Sequence, residues 1–132
     1  MKYFIIVLVV AIIGVGGIFV ISNKDSKTST SFNAQEGNNV QVIDGKQIIY
    51  IEAKGGYSPK KTIAKADMPT VLEIKTNGTI DCSTSLIIQD IGYRGSLKPT
   101  GVEKIDIKPQ SKGTILKGIC SMGMYSFQIK FE

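Results

Sequence analysis

The stretch GTILKGICSMGMYSFQIKF, residues 113–131, decides the fold. In its second half apolar and polar residues alternate, which is the pattern of a strand with one face in a core. Cys120 shares its parity with Leu116, so one unbroken strand would place Cys120 on the polar face of the later residues. The chain must therefore break between Ser121 and Met124, where Gly123 suits a turn because glycine adopts positive φ without strain. The stretch predicts two strands joined by a tight loop, with Cys120 ending the first.

Short β runs separated by turn residues fill the chain from about Val40 to this stretch. The pattern predicts strands over residues 47–53, 61–66, 70–76, 79–89 and 102–108. A turn is expected at GGYSP, residues 55–59, and Asn77-Gly78 indicates a hairpin-type turn after residue 76. Seven or so strands at this spacing predict an all-β protein, an antiparallel β-sandwich over residues 39–132.

The N-terminal segment has a different character. Residues 3–21 are uncharged and mostly apolar, long enough to cross the roughly 30 Å hydrocarbon layer as a helix. We expect residues 1–22 to be an uncleaved anchor, with cleavage near Gly16 or Ser22 as the alternative. The polar residues 23–38 are expected to be a flexible linker. The expected location is the cell membrane, crossed once, with the C-terminal domain outside the cytoplasm.

Composition excludes several functions. The chain has no histidine, which removes the commonest general base and the usual ligands of a blue-copper centre. Hydrolytic triads are therefore excluded, and no enzymatic activity is expected. The net charge of +5 comes from dispersed lysines, with Arg94 the one arginine. Because no basic run exceeds two adjacent residues, a solvated polar face is favoured and no nucleic-acid partner is expected.

Four sulfur-bearing residues carry the chemical signal. Cys120, Met122 and Met124 lie within five residues of one another, and Cys82 is the other cysteine of the chain. Thiolate and thioether sulfurs are soft ligands that select Cu(I) over hard cations. If these side chains converge, they form a copper site. We therefore predict a metal site at Cys82, Cys120, Met122 and Met124, with copper as the cofactor, preferably as Cu(I).

These residues also carry a resemblance. The CSMGMY motif at 120–125, the earlier Cys82 and the turn at 55–59 resemble the cupredoxin-like domains of bacterial membrane-bound copper proteins, over residues 47–132. The resemblance implies a Greek-key sandwich in which Cys82 takes the place of an upstream histidine and Cys120 that of the thiolate. Met122 or Met124 would stand for the second histidine and the axial methionine. Because the chain has no histidine, the resemblance implies a sulfur-only variant.

Three functions follow from these observations. The first is a membrane-anchored protein outside the cytoplasm that holds Cu(I) for buffering or transfer, with a copper-donor or copper-acceptor protein as its partner. The second is a metal-free interaction or structural module closed by a disulfide between Cys82 and Cys120, since exported domains often carry such bridges. The third, least favoured without histidine, is an electron-transfer cupredoxin.

Overall fold

A computed structural model describes residues 38–132, and the predicted anchor and nearly all of the predicted linker lie outside them. The described residues form ten strands and two short 3-10 helices. None of the helices among them has the length and apolar character that a membrane crossing requires.

The strands follow one another with short connections. They are β1 (Val40–Ile43), β2 (Lys46–Ala53), β3 (Tyr57–Ser58), β4 (Lys61–Ala64), β5 (Thr70–Thr76), β6 (Ser85–Ile88), β7 (Tyr93–Ser96), β8 (Gly101–Ile107), β9 (Ile115–Cys120) and β10 (Ser126–Phe131). The 3-10 helices are Cys82–Thr84 and Gln89–Ile91, on either side of β6. The β-rich prediction is confirmed, and the strand predicted over residues 70–76 has its expected bounds.

The strands form two sheets. The first has the order β1-β2-β5-β8, with β3 paired to β2, and the second has the order β4-β10-β9-β6-β7. Apolar side chains of both sheets share one buried core, so the sheets pack face to face as a sandwich. Ile49, Ile51, Leu72 and Ile74 enter it from the first sheet, and Leu86, Leu116, Phe127 and Ile129 from the second.

The prediction that the sandwich is wholly antiparallel is wrong. β2 and β5 pair in parallel, and so do β4 and β10. In both pairs the chain returns to the end of the sheet where the first strand began before it starts the second strand. A tight hairpin cannot make such a connection. The sheets are therefore mixed.

Two local predictions also fail. The chain bends at residues 77–78, where Gly78 has a φ of 61°. The bend closes no hairpin, because β5 pairs with β2 and β8 while the chain crosses to the other sheet. The strand predicted over residues 79–89 begins only at Ser85, since Cys82–Thr84 is a 3-10 helix. The cause is Asp81, whose side chain accepts a hydrogen bond from the Ser83 backbone N–H and caps the helix.

Candidate metal centre

Cys120 ends β9 at the mouth of the loop that leads into β10. Gly123 has a φ of 73°, and its N–H donates to the Cys120 carbonyl over 2.8 Å. The Cys120 N–H donates to the Tyr125 carbonyl over 3.0 Å, which closes the loop. The predicted break between Ser121 and Met124, with glycine at the turn, is confirmed.

Cys82 reaches the same end of the sandwich from another part of the chain. It begins the 3-10 helix that leads directly into β6, and β6 lies beside β9 with Leu86 opposite Cys120. The Ser121 N–H donates to the Ser85 carbonyl over 2.9 Å, which extends this pairing beyond the strands. The register of two neighbouring strands thus brings the two cysteines together.

A carboxylate fixes the helix that carries Cys82. The Asp81 side chain accepts hydrogen bonds from the Ser83 N–H over 2.8 Å and from the Ser83 hydroxyl. It also accepts one from the Gly55 N–H over 2.8 Å. Because Gly55 belongs to the turn between β2 and β3, Asp81 ties the Cys82 helix to the first sheet.

A buried tyrosine, Tyr57, also hydrogen-bonds to the helix that carries Cys82. The Tyr57 hydroxyl donates to the Ser83 carbonyl over 3.0 Å, and its ring packs edge-on against Phe127 with centroids 5.1 Å apart. Burial, followed by the neighbouring Cys120, Cys82 and Asp81, raises the pKa of Tyr57 far above its ordinary value. The phenol therefore stays protonated and acts as a hydrogen-bond donor.

The two sulfurs contact each other. Both cysteines are free thiols, and the Cys82 thiol donates a hydrogen bond to the Cys120 sulfur, which raises the pKa of Cys82. Burial opposes ionisation of Cys120, but the bond from Cys82 and backbone N–H groups of Tyr125, Met124 and Met122 outweigh it and lower the Cys120 pKa. Cys120 is thus the more acidic thiol of the pair.

The methionines do not cover this pair. The side chains of Met122 and Met124 are 74% and 64% exposed, although the backbone of their loop lies against the cysteine sulfurs. Of the four predicted ligands, the structure brings the cysteines into contact and leaves both thioethers in solvent beside them. Within residues 38–132, no three His, Cys, Asp or Glu side chains gather into a metal-binding group.

An exposed apolar side chain and a pocket lie near Cys82 and the β9–β10 loop. Ile80, two residues before Cys82, is 90% exposed. A pocket of about 280 Å³ opens beside the loop and is lined by Met124, Tyr125, Lys54, Lys60 and residues 55–58. Asp81 and Tyr57 were not predicted from the sequence to belong to the site, although an Asp ahead of Cys-Ser-Thr is a recognisable helix-cap signal.

The fold is shared with copper-binding domains. The metal-binding domain of the Cu(I)-exporting P-type ATPase CopA from Streptococcus pneumoniae D39, solved with Cu(I), superimposes with a TM-score of 0.64 at 19% identity, covering 74% of this chain and 96% of that one. A copper-binding protein solved in the apo form gives a TM-score of 0.65 at 23% identity, covering 76% of this chain and 100% of that one. No protein-family model and no curated protein matches the chain.

Proposed function

We propose that this protein binds Cu(I) through the sulfurs of Cys82 and Cys120, completed by Met122 or Met124, and buffers copper or passes it to a partner. The proposal includes a Greek-key, cupredoxin-like sandwich over residues 39–132, a linker over 23–38 and a membrane anchor over 1–22 that holds the domain outside the cytoplasm. It includes no enzymatic activity and no nucleic-acid partner.

The contact between the two cysteine sulfurs carries the proposal. Hydrogen bonds, including one from the Cys82 thiol, lower the pKa of Cys120. Two thiolates form a soft site for Cu(I) without a large movement of the backbone. Because metal binding displaces the thiol proton, affinity for Cu(I) should fall as the pH is lowered.

The available donors favour copper over zinc. A structural zinc site is filled by four Cys, His or carboxylate ligands, and the chain has two cysteines and no histidine. In the described part of the chain no carboxylates join the cysteines in a metal-binding group. Thioethers are the remaining donors nearby, and they suit Cu(I).

The exposure of the methionines supports transfer. A ligand loop in solvent leaves the metal accessible from one side, so a donor or acceptor protein can reach it. Met122 and Met124 extend from the loop between β9 and β10, which connects two paired strands of the second sheet. The methionines can therefore move toward bound copper while the cysteine positions stay fixed.

The structural neighbours add independent support. One is a metal-binding domain solved with Cu(I), and the other is a copper-binding protein. Their fold is the one that brings Cys82 and Cys120 together here. We infer from this coincidence of fold and donor type that copper is also the ligand of this chain.

Competition with a Cu(I) chelator tests the proposal. The reduced full chain should take Cu(I) from the chelator. Replacing Met122 and Met124 together by Leu should weaken binding by on the order of tenfold or more, which corresponds to about 1.4 kcal/mol, while stability changes little because both side chains are exposed.

Met68→Leu is the matched control. Met68 precedes β5, whereas Cys82 follows its far end, so this substitution should leave affinity unchanged. Equal affinity of the wild-type chain and the double variant would remove the methionines from the site. Equal affinity of the wild-type chain and a chain with Cys82→Ser and Cys120→Ser would refute copper binding at this site.

A further inference from the structure

We propose that Cys82 and Cys120 also form a two-electron reductant for Cu(II), closing to a disulfide as Cu(II) is converted to Cu(I). This inference rests on the proposed function for the identity of the metal. It adds a reaction, and it predicts a second covalent state of the same domain that no longer holds copper through thiolates.

The geometry of the pair favours bond formation. Cys82 begins the 3-10 helix that leads into β6, and Cys120 ends the neighbouring strand β9, so the two free thiols contact each other at one end of the sandwich. Strands β6 and β9 fix this contact through the pairing of Leu86 with Cys120, and the bond between Ser121 and Ser85 continues it. Because the reacting atoms are already neighbours, closure requires no rearrangement of the sheets.

Exposure decides which disulfide forms. Cys120 is 1% exposed, whereas Cys82 is partly exposed. The Cys120 sulfur is inaccessible to a second protein molecule, but it is accessible to Cys82 of the same chain. Dissolved Cu(II) can reach the Cys82 sulfur. The oxidised product should therefore be an internal bridge in a monomeric chain, not a disulfide-linked dimer.

The reaction balances with Cu(II) as the oxidant. Each of two Cu(II) ions accepts one electron, the two thiols release two protons, and one sulfur–sulfur bond forms between Cys82 and Cys120. The chain has no histidine, so the imidazole ligands that suit Cu(II) are absent, whereas thiolates favour Cu(I). The donor set thus favours the reduced ion.

Closure also changes what the site can bind. A disulfide consumes both thiolates, leaving the exposed thioethers of Met122 and Met124 as the remaining sulfur donors of the proposed set. The bridged chain should consequently release the Cu(I) that it generates. Reduction of the bridge restores the binding site, so the redox state of the cysteine pair governs copper loading.

The experiment mixes the fully reduced full chain, freed of reductant, with Cu(II) under anaerobic conditions and a chromogenic Cu(I) chelator. We expect loss of both thiols per chain, two Cu(I) per chain on the chelator, and a linked Cys82–Cys120 peptide in the mass-spectrometric map. The wild-type chain should form Cu(I) at least about tenfold faster than the Cys82→Ser and Cys120→Ser chains do when their two rates are added, because only the wild-type chain holds two thiols together.

Met68→Leu is the matched control, since Met68 precedes β5 and lies outside the proposed site, so this variant keeps the thiol pair and should reduce Cu(II) like the wild-type chain. Disulfide-linked dimers, sulfenic acid without a bridge, or a rate equal to the sum of the single variants would overturn the inference. Cu(I) titration of the reduced chain separates the two proposals. Tight Cu(I) binding without bridge formation overturns the proposed reduction of Cu(II) alone, whereas bridge formation without Cu(I) binding overturns the proposed function alone.

Discussion

Removing the Asp81 carboxylate should loosen the cysteine site without touching a sulfur atom. In Asp81→Ala, the Ser83 N–H, the Ser83 hydroxyl and the Gly55 N–H all lose their acceptor. These three bonds fix the short helix that begins at Cys82 and tie it to the β2–β3 turn. The change therefore acts on the position of Cys82.

The magnitude follows from the contacts. Loss of a helix cap costs about 0.5–2 kcal/mol. Asp81 is partly exposed, so water replaces some of the lost bonds, and we expect a loss of about 1–2 kcal/mol. In a domain of this size each kcal/mol lowers the Tm by roughly 4–8 °C. Cu(I) affinity should fall by on the order of tenfold, since metal binding must then order the Cys82 turn.

Thermal unfolding and chelator competition on the same samples measure both effects. Asp90→Ala is the matched control, because Asp90 also accepts one backbone hydrogen bond, from the Lys117 N–H over 3.2 Å, at an exposed place. It should change Cu(I) affinity little. An Asp81→Ala chain with wild-type Cu(I) affinity and wild-type Tm would refute the argument that this carboxylate positions Cys82.

The pH dependence of folding stability provides a second test of the role of the Asp81 carboxylate. Hydrogen bonds from the Ser83 hydroxyl, the Gly55 N–H and the Ser83 N–H hold the Asp81 pKa below its ordinary value of 3.8. The ionised group therefore contributes its full stability above pH 3.8, and the contribution disappears as the pH falls through the lower pKa of the folded chain. Asp81→Asn should lose this component of the acid dependence, and denaturant midpoints measured across the acid range would reveal it. An identical acid profile in the two chains would contradict this reading.

Three further outcomes are expected. Tyr57→Phe leaves the buried Ser83 carbonyl without its donor, so the free energy of unfolding should fall by about 1–3 kcal/mol in denaturant titrations; an unchanged midpoint would show that this bond contributes nothing. Gly118→Ala should destabilise the chain by about 1–3 kcal/mol, because a Cβ there would overlap the buried Phe127 ring; a stable variant would mean that the ring moves at little cost. Protease added to intact cells should remove the domain and leave a short membrane-bound fragment, whereas protection of the domain would contradict the proposed topology.

Alternation along single strands was sufficient to predict much of the β structure. Residues 70–76 and 125–131 each bury one face, and the period-two pattern reports this directly. The pairing of the strands was harder to predict than their positions. The parallel pairing of β2 with β5 depends on how the chain returns over the core, and no local sequence pattern indicates it. Thr79 and Ile80 have strand-like character, but the Asp81 cap overrides it and turns the chain into a 3-10 helix.

The candidate site was predictable in its chemistry and only partly in its geometry. Soft donors near one loop indicated Cu(I), and parity indicated that Cys120 ends a strand. The contact of Cys82 with Cys120 depends on the register of β6 beside β9, which no local motif specifies. The exposure of Met122 and Met124 was equally invisible, because the sequence shows that the residues are close along the chain but not where their side chains lie.

X-ray absorption spectroscopy of the Cu(I)-loaded full chain would identify the atoms that coordinate the copper. We expect the copper to be coordinated by sulfur, from Cys82, Cys120 and at least one of the two loop methionines. Fewer sulfur neighbours are expected after Met122 and Met124 are replaced by Leu. The intact chain should show no nitrogen or oxygen ligand. A first shell dominated by nitrogen or oxygen, or a spectrum unchanged after Cys82→Ser, would contradict the sulfur site.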